Sequence, residues 1–211
     1  MLDTVREINE KRRSSVIVME SGETFWLTWT QLQEHEPFAV GQEVDTDALR
    51  EWLLPRQYPM ALNDAVALLA QRAQASGEIR QKLKRKLYME DTVEMVLYKL
   101  EREGLLNDAD FAQQWVEARS TRKLGRSRIA QELRRKGVSA DEAEAALDTL
   151  DDDEQLAGAI ALAEKAAARI KPGEDPRKAM SRIHAMLARR GYGWDVAKEA
   201  VSRAMQADDE M

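Results

Sequence analysis

Basic side chains recur in clusters along this 211-residue chain, and they are its strongest candidates for binding a partner. The segment from Arg119 to Lys136 holds eight bases and one acid, although the whole chain carries a net charge of −6. A local basic surface of this kind can face phosphates or an acidic protein groove. The candidate partner- or DNA-binding residues are Lys82, Lys84, Arg85, Lys86, Arg122, Lys123, Arg126, Arg128, Arg134, Arg135, Lys136, Arg182, Arg189 and Arg190.

The same cations also have a purely structural interpretation. Lys86, Lys136 and Arg190 fall near the C-terminal ends of predicted helices, where the helix dipole favours positive charge without any partner. Recurrence at corresponding positions favours a binding stripe, whereas the dipole alone explains a solvated helix face. Both interpretations stay open from the residues alone.

Other side chains offer little catalytic chemistry. The chain has no cysteine and two histidines, His35 and His184, neither with an evident triad partner. The acidic run Asp151–Glu154 lacks the alternating ligands and turn glycine of a calcium loop, so we expect it to cap a helix. We find no glycine-rich phosphate loop or nucleophile elbow, and we predict no enzyme activity, catalytic residue, cofactor or metal.

The tryptophans are predicted to serve packing rather than chemistry. Trp115 and Trp194 fit positions in the core of a helical repeat or between repeats. Trp26 and Trp29 lie on a predicted hairpin, where packing against neighbouring helices is favoured over a role as an exposed anchor for a partner.

The basic cluster is positioned by a predicted helix, turn and helix between Arg126 and Leu150. Ile129 and Leu133 share one helix face because they are four residues apart, and Gly137 can take the left-handed conformation that ends a helix. Ser139 and Glu142 have the spacing of a capping box for the following helix.

This unit occurs three times. Leu83, Leu133 and Leu187 fall in register 50 and 54 residues apart, and an isoleucine precedes each of them by four residues. Such a period predicts an array of similar units, each too small to bury its apolar face alone. The fold class is therefore mostly α, with three tandem three-helix repeats in an elongated, curved array. A small domain containing a β-hairpin precedes the array.

The N-terminal domain has a different pattern. Residues 14–29 alternate β-branched and aromatic residues around Ser21-Gly22, which predicts a hairpin and the only substantial strand structure, while residues 5–10 are compatible with a third strand. Short helices are predicted from Thr28 to His35 and from Thr46 to Leu54.

These patterns divide the chain into predicted segments. Pro55 and Pro59 indicate a linker. Asn63 or Asp64 is predicted to cap a helix from Ala65 to Gln74, and Asp175-Pro176 is predicted to begin another helix. The segments are an N-terminal domain (1–54), a linker (55–62), repeats 1 (63–106), 2 (107–152) and 3 (153–207), and a frayed acidic tail (208–211).

Together these residues resemble a known family. The recurrent I-x-x-x-L-x-x-[KR]-G core, the opening Asn107–Ala112 with Trp115-Val116 and Arg119, and the ending Leu187–Tyr192 resemble the recombination regulator RecX. Leu87 departs from the pattern where a glycine could stand, and the insertion Lys171–Asp175 lengthens repeat 3.

The resemblance implies a non-enzymatic regulator. Members of the family bind the RecA recombinase filament on DNA and inhibit strand exchange and ATP hydrolysis, which affects recombination, DNA repair and the SOS response. The resemblance therefore implies a RecA filament as partner, and a local basic stripe leaves open a contact with single- or double-stranded DNA. An alternative from the residues alone is a direct DNA-binding protein of helix-turn-helix type that acts without RecA.

Composition agrees with a cytoplasmic protein. The absence of cysteine suits a reducing compartment, and no apolar run or N-terminal signal indicates a membrane or secretion. We expect a monomer.

Overall fold

The computed structural model describes residues 1–171 and 173–209, apart from the side chains of 207–209. The chain forms two compact units, unit 1 from Met1 to Leu106 and unit 2 from Asn107 onward. It is mostly helical with a small N-terminal antiparallel sheet, as predicted. The helices are α1 (Trp29–Glu34), α2 (Thr46–Gln71), α3 (Ser76–Arg85), α4 (Glu90–Arg102), α5 (Asp108–Ser120), α6 (Arg126–Lys136), α7 (Ala140–Leu147), α8 (Asp152–Ala167), α9 (Pro176–Arg189) and α10 (Trp194–Asp209).

The sheet is larger than the predicted hairpin. Its strands are β1 (Leu2–Lys11), β2 (Ser14–Met19), β3 (Thr24–Thr28) and β4 (Glu43–Asp45), in the order β3-β2-β1-β4 with antiparallel pairs. The hairpin β2–β3 is confirmed, but residues 14–29 are not the only substantial strand region. β1 is long and central because it pairs with β2 on one edge and with β4 on the other. β4 has only three residues, too few for alternation to reveal it.

The predicted linker at residues 55–62 is wrong, because α2 continues through it to Gln71. Pro55 and Pro59 are four residues apart on the exposed face of α2, so the carbonyls that their missing N–H groups leave unpaired can bond water. Asn63 and Asp64 consequently lie inside α2 and cap no helix. Burial on both sides of the prolines keeps α2 continuous. Leu49 and Leu53 pack on the sheet, and Ala61 and Ala65 pack in the first repeat.

A buried glutamine fixes α2 between these two cores. The Gln57 side chain is fully buried, donates to the Trp26 carbonyl at 3.0 Å and accepts from the Met89 N–H at 3.0 Å. The Thr92 hydroxyl also approaches the Gln57 amide oxygen at 3.4 Å. Because a buried amide must satisfy its hydrogen bonds inside the protein, Gln57 defines how β3, α2 and α4 meet.

The second and third repeats form unit 2 and match the sequence expectations closely. The Asn107 side chain caps α5 by accepting from the Asp110 N–H, Ser139 and Glu142 form a reciprocal capping box on α7, and Asp175 caps α9 with Pro176 in its first turn. Asp151 caps α8 by accepting from the Glu154 N–H at 2.9 Å, as predicted. The described residues of the insertion Lys171–Asp175 lie between α8 and α9, while Pro172 lies outside the described residues.

The predicted acidic tail, residues 208–211, overlaps the last helix. α10 continues to Asp209, so Asp208 and Asp209 belong to a helix rather than to a frayed tail. Glu210 and Met211 lie outside the described residues.

The same backbone turn joins the second and third helices of each repeat. Leu87, Gly137 and Gly191 occupy equivalent positions and have φ angles of 67°, 82° and 91°. Leu87 therefore adopts the left-handed conformation that glycine adopts in the other repeats, although a side chain there carries a strain of about 1–3 kcal/mol. The departure from the family pattern in repeat 1 leaves the turn geometry intact.

Two glycines bring repeats 2 and 3 into backbone contact within unit 2. The Gly125 N–H donates to the Arg190 carbonyl at 2.9 Å, and the Ser127 N–H donates to the Gly191 carbonyl at 3.1 Å. A Cβ on Gly191 would overlap the main chain of Arg128, and a Cβ on Gly125 would overlap Gly191. The start of α6, which has no side-chain cap, is thus capped by main-chain carbonyls of the next repeat.

Replacement of Leu133 tests the core of repeat 2. The side chain is fully buried, so Leu133→Ala should lower the free energy of unfolding by about 2–5 kcal/mol in denaturant melting. Leu105→Ala makes the same chemical change at a side chain that is 53% exposed, and it should cost far less. Equal losses would show that Leu133 does not close the core.

Replacement of Gly191 tests the contact between repeats 2 and 3. Gly191→Ala should cost more than the roughly 1–3 kcal/mol of left-handed strain, because the new Cβ also meets the Arg128 backbone. Gly104→Ala is the matched control, since Gly104 has φ 69° and open space around a new Cβ. Similar unfolding free energies for the two variants would contradict a tight backbone contact at Gly191.

Candidate partner-binding surface

The basic residues of repeat 2 are positioned by the buried face of α6. Ile129 and Leu133 are fully buried, which directs Arg134 and Arg135 to solvent and leaves Arg126 and Arg128 half-buried at the sides. α6 extends about 1.5 Å per residue, so its basic C-terminal end lies about 14 Å from Gly125. The helix therefore presents cations at both ends.

Several of the predicted cations are already paired with acids of their own unit. An ion pair satisfies a cation locally and reduces the field that it offers to a partner, even though exposed pairs contribute little stability. The pairs are Lys84–Glu90 (2.5 Å), Lys86–Asp64 (2.7 Å), Arg126–Glu144 (2.6 Å), Arg126–Asp148 (2.7 Å), Arg128–Glu132 (3.4 Å) and Arg182–Glu174 (3.1 Å).

Other predicted cations are held by neutral groups. Lys82 bonds the Gln74 side chain, Arg135 bonds the Gln131 side chain at 3.2 Å, and Arg85 bonds the carbonyl of Gln81 on its own helix at 3.4 Å. For Arg85 and Arg135 such bonds orient the side chain without removing its positive field.

A cluster around Trp115 joins α5 to α6. The Arg119 guanidinium lies 3.9 Å from the centre of the Trp115 ring and the Lys136 ammonium lies 4.0 Å from it. Glu132 accepts from the Trp115 ring N–H at 3.2 Å and from Arg119 at 2.7 Å. Burial raises the pKa of Glu132, but the hydrogen bond and charge of Arg119, the Trp115 hydrogen bond and the charge of Arg128 together lower it overall. Trp115 therefore packs within its repeat, as predicted.

Glu132 is the residue of this cluster that sequence reasoning missed. It is the single acid among eight bases between Arg119 and Lys136, and this isolation was the available signal. Its two carboxylate oxygens bind Arg119 and Arg128, so Glu132 holds these two arginines of the basic segment in place.

Most of the predicted cations for which the described residues show no ion pair lie in unit 2. The Arg190 guanidinium lies 3.4 Å from the Arg122 carbonyl, which brings the end of α9 to the loop after α5. Arg134 and Arg135 lie at the other end of α6. We call this set the unit 2 basic surface, and its residues are Arg122, Lys123, Arg134, Arg135, Arg189 and Arg190.

The tryptophan predictions are only partly right. Trp26 is half-buried and packs edge-on against Tyr88 with ring centres 5.6 Å apart, whereas Trp29 is 61% exposed. Trp194 does not pack in a core: it is 71% exposed and stacks on the half-buried ring of His184 at 5.1 Å. Its place at the first position of α10 turns the ring outward, while Val201 and Ala204 supply the buried face of that helix.

The described residues contain no cluster of three or more histidine or acidic side chains able to hold a metal ion. None of their helices combines the length and apolar character needed to cross a membrane.

Comparison with known proteins matches all three repeats to one family. The models of the first, second and third three-helix domains of RecX match residues 61–100, 107–147 and 152–201. The first match begins within α2, which agrees with a repeat whose leading helix is shared with the N-terminal domain.

Individual relatives agree with this match. The regulatory protein RecX of Mycobacteroides abscessus is 40% identical over 142 residues, which cover 67% of this chain and 70% of that protein. The regulatory protein RecX of Amycolatopsis mediterranei is 36% identical over 151 residues, or 71% of this chain and 86% of that protein. A crystal structure of regulatory protein RecX shares the fold with a TM-score of 0.62, at 22% identity over 93% of this chain and 97% of that one. This chain therefore belongs to the RecX family of regulatory proteins.

Proposed function

We propose that this chain binds the RecA recombinase filament on DNA and inhibits its strand exchange and ATP hydrolysis. It would thereby regulate recombination and DNA repair as a cytoplasmic, non-enzymatic monomer. The main support for this proposal is the match of all three repeats to RecX domains. The unit 2 basic surface supports the proposal because its cations are not neutralised by acids in the described part of the chain.

The ion pairs of α6 support one choice among its predicted contact residues. Arg126 and Arg128 hold acids of their own repeat, so their replacement would disturb packing as well as binding. Arg134 and Arg135 are exposed and have no acidic partner among the described residues. Replacing them therefore tests contact with the filament without breaking an ion pair within the repeat.

Charge reversal at these two residues tests the proposal. Arg134→Glu combined with Arg135→Glu should raise the concentration of this protein needed for half-inhibition of RecA ATP hydrolysis on single-stranded DNA by about tenfold, which corresponds to about 1.4 kcal/mol. The melting temperature should change little, because substitutions on an exposed face usually stay within about 0.5 kcal/mol.

A matched control separates a contact from a general charge effect. Lys165→Glu combined with Lys171→Glu makes the same charge change at exposed positions outside the unit 2 basic surface. An equal loss in the control would contradict a contact at Arg134 and Arg135. Full inhibition by a folded Arg134/Arg135 variant would show these residues to be a solvated face.

The same preparation distinguishes the DNA-binding alternative. Direct binding to bare single-stranded DNA should weaken steeply with salt, in proportion to the phosphates contacted. The proposal instead expects weak binding to bare DNA and strong binding when RecA is present. Equal binding to bare DNA and to the RecA filament would favour the direct DNA-binding function.

A further inference from the structure

The first hairpin of the N-terminal sheet turns on two adjacent arginines. Arg12 and Arg13 join β1 to β2, at a position where two-residue turns favour asparagine, aspartate or glycine. Both side chains are exposed, and neither has an ion pair among the described residues. The helix dipole that accounts for Lys86 and Arg190 does not account for these cations, because their turn lies between two strands.

An exposed tryptophan lies beside this turn. The Trp29 N–H donates to the Arg13 carbonyl at 2.9 Å, which fixes the start of α1 next to the hairpin. The Trp29 side chain is 61% exposed, so packing in a core does not account for it. An aromatic ring that stays in solvent beside cations is the combination on which single-stranded nucleic acids stack their bases.

The turn and the tryptophan border an open cavity of unit 1. The cavity has a volume of about 620 Å³, and Trp26 and Trp29 line it together with Arg12, Arg13 and Met60. None of its described lining residues is acidic. One concave surface therefore offers aromatic and apolar groups for a base and guanidinium groups for a phosphate.

A second cavity of unit 1 continues from the first, because Ser14, Trp26 and Met60 line both. It has a volume of about 470 Å³, and Lys11 and Arg85 line it. Lys11 is exposed and has no ion pair among the described residues, while Arg85 bonds only a neutral carbonyl there. Cations thus continue from the hairpin turn into the neighbouring cavity.

The single acid on the described walls of the two cavities is already engaged. Asp64 lies in the second cavity, where the Lys86 ammonium is 2.7 Å from one of its oxygens and the Tyr88 hydroxyl donates to the other at 2.8 Å. Lys86 therefore offsets the charge of Asp64. The positive charge of the other cations remains available to a polyanion.

This charge is concentrated within an acidic domain. Residues 1–54 contain eleven acids and five bases, and three of the five bases are the consecutive residues Lys11, Arg12 and Arg13. Such segregation favours a polyanionic partner at this one place. An acidic peptide would use the cations alone, whereas a nucleic-acid strand uses both the cations and the exposed ring of Trp29.

We propose that Lys11, Arg12, Arg13, Arg85 and Trp29 form a binding site for a short stretch of single-stranded DNA, which we call the unit 1 cleft. A base stacks on Trp29, and neighbouring phosphates contact the arginines of the turn and the cations of the second cavity. The choice of DNA over RNA rests on the proposed function, which places this chain at a filament on DNA.

Short oligonucleotides test the unit 1 cleft in the full chain without RecA. Fluorescence anisotropy of a labelled thymidine oligomer of about 12 nucleotides should give a dissociation constant between about 1 and 100 μM at physiological salt. An oligomer of the same length with abasic sugars keeps the phosphates and loses the bases. It should bind about tenfold more weakly, because base stacking is lost.

Replacement of Trp29 separates stacking from charge. Trp29→Ala should abolish the preference for the thymidine oligomer over the abasic one, whereas Trp29→Phe should keep most of it because an aromatic ring remains. Trp194→Ala is the matched control, since it removes an even more exposed tryptophan in unit 2 and should leave the preference unchanged. Melting temperatures should stay close to that of the unmodified chain in all three variants.

Replacement of the turn arginines tests the phosphate contacts. Arg12→Gln combined with Arg13→Gln should weaken both oligomers about tenfold and keep the preference for bases. Loss of two phosphate contacts should also lower the slope of log affinity against log salt by about 1.4. Lys165→Gln combined with Lys171→Gln removes the same charge at exposed positions outside the unit 1 cleft, and it should change neither quantity to this extent.

Several results would overturn the proposal. Equal affinity for the thymidine and abasic oligomers, or an equal loss in Trp29→Ala and Trp194→Ala, would show that no base stacks on Trp29. Tighter binding of an oligoglutamate peptide of the same charge would assign the cleft to an acidic protein segment, and tighter binding of a uridine oligomer would assign it to RNA. RecA is absent from these measurements, so failure here is distinct from failure to inhibit RecA ATP hydrolysis.

Discussion

The left-handed turn after the second helix of each repeat is the constraint on which the repeat geometry depends. One residue with positive φ ends the second helix, and the third helix begins three residues later in every repeat, so that Leu83, Leu133 and Leu187 can all be buried. Leu87 shows how strong this constraint is, because a residue with a side chain adopts the same φ in repeat 1. Packing of the buried leucine and its neighbours outweighs the local backbone strain.

In unit 2 the same turn also organises the contact between repeats. Gly191 is both the turn residue of repeat 3 and the point where its carbonyl accepts a hydrogen bond from the start of α6. Because neither Gly125 nor Gly191 has a side chain, the two backbones approach closely enough for these bonds. The contact brings Arg190 next to the loop carrying Arg122 and Lys123, so cations far apart in sequence become neighbours.

The distribution of acids then decides which cations remain available. Glu132, Glu144 and Asp148 satisfy Arg128 and Arg126, whereas Arg134, Arg135 and the cations near Arg190 have no acidic partner among the described residues. One basic segment therefore contains cations held in ion pairs and cations without an acidic partner among the described residues. This distinction connects the repeat packing to the proposed filament contact, because only charges that are not already compensated contribute fully to recognition.

The sequence alone determined the caps and turns of unit 2, the repeat register and the family, since caps, turn residues and apolar periodicity act over a few neighbouring residues. The Gly137 turn and the Ser139–Glu142 capping box were both predicted correctly for this reason. Only the tertiary structure decided that α2 runs through Pro55 and Pro59, because burial of Gln57 and the flanking apolar residues outweighs the local signal of two exposed prolines. It also decided which cations are paired and that Tyr88 bonds the carboxylate of Asp64 while the Tyr192 hydroxyl has no partner among the described residues, since both depend on side chains brought together from distant positions.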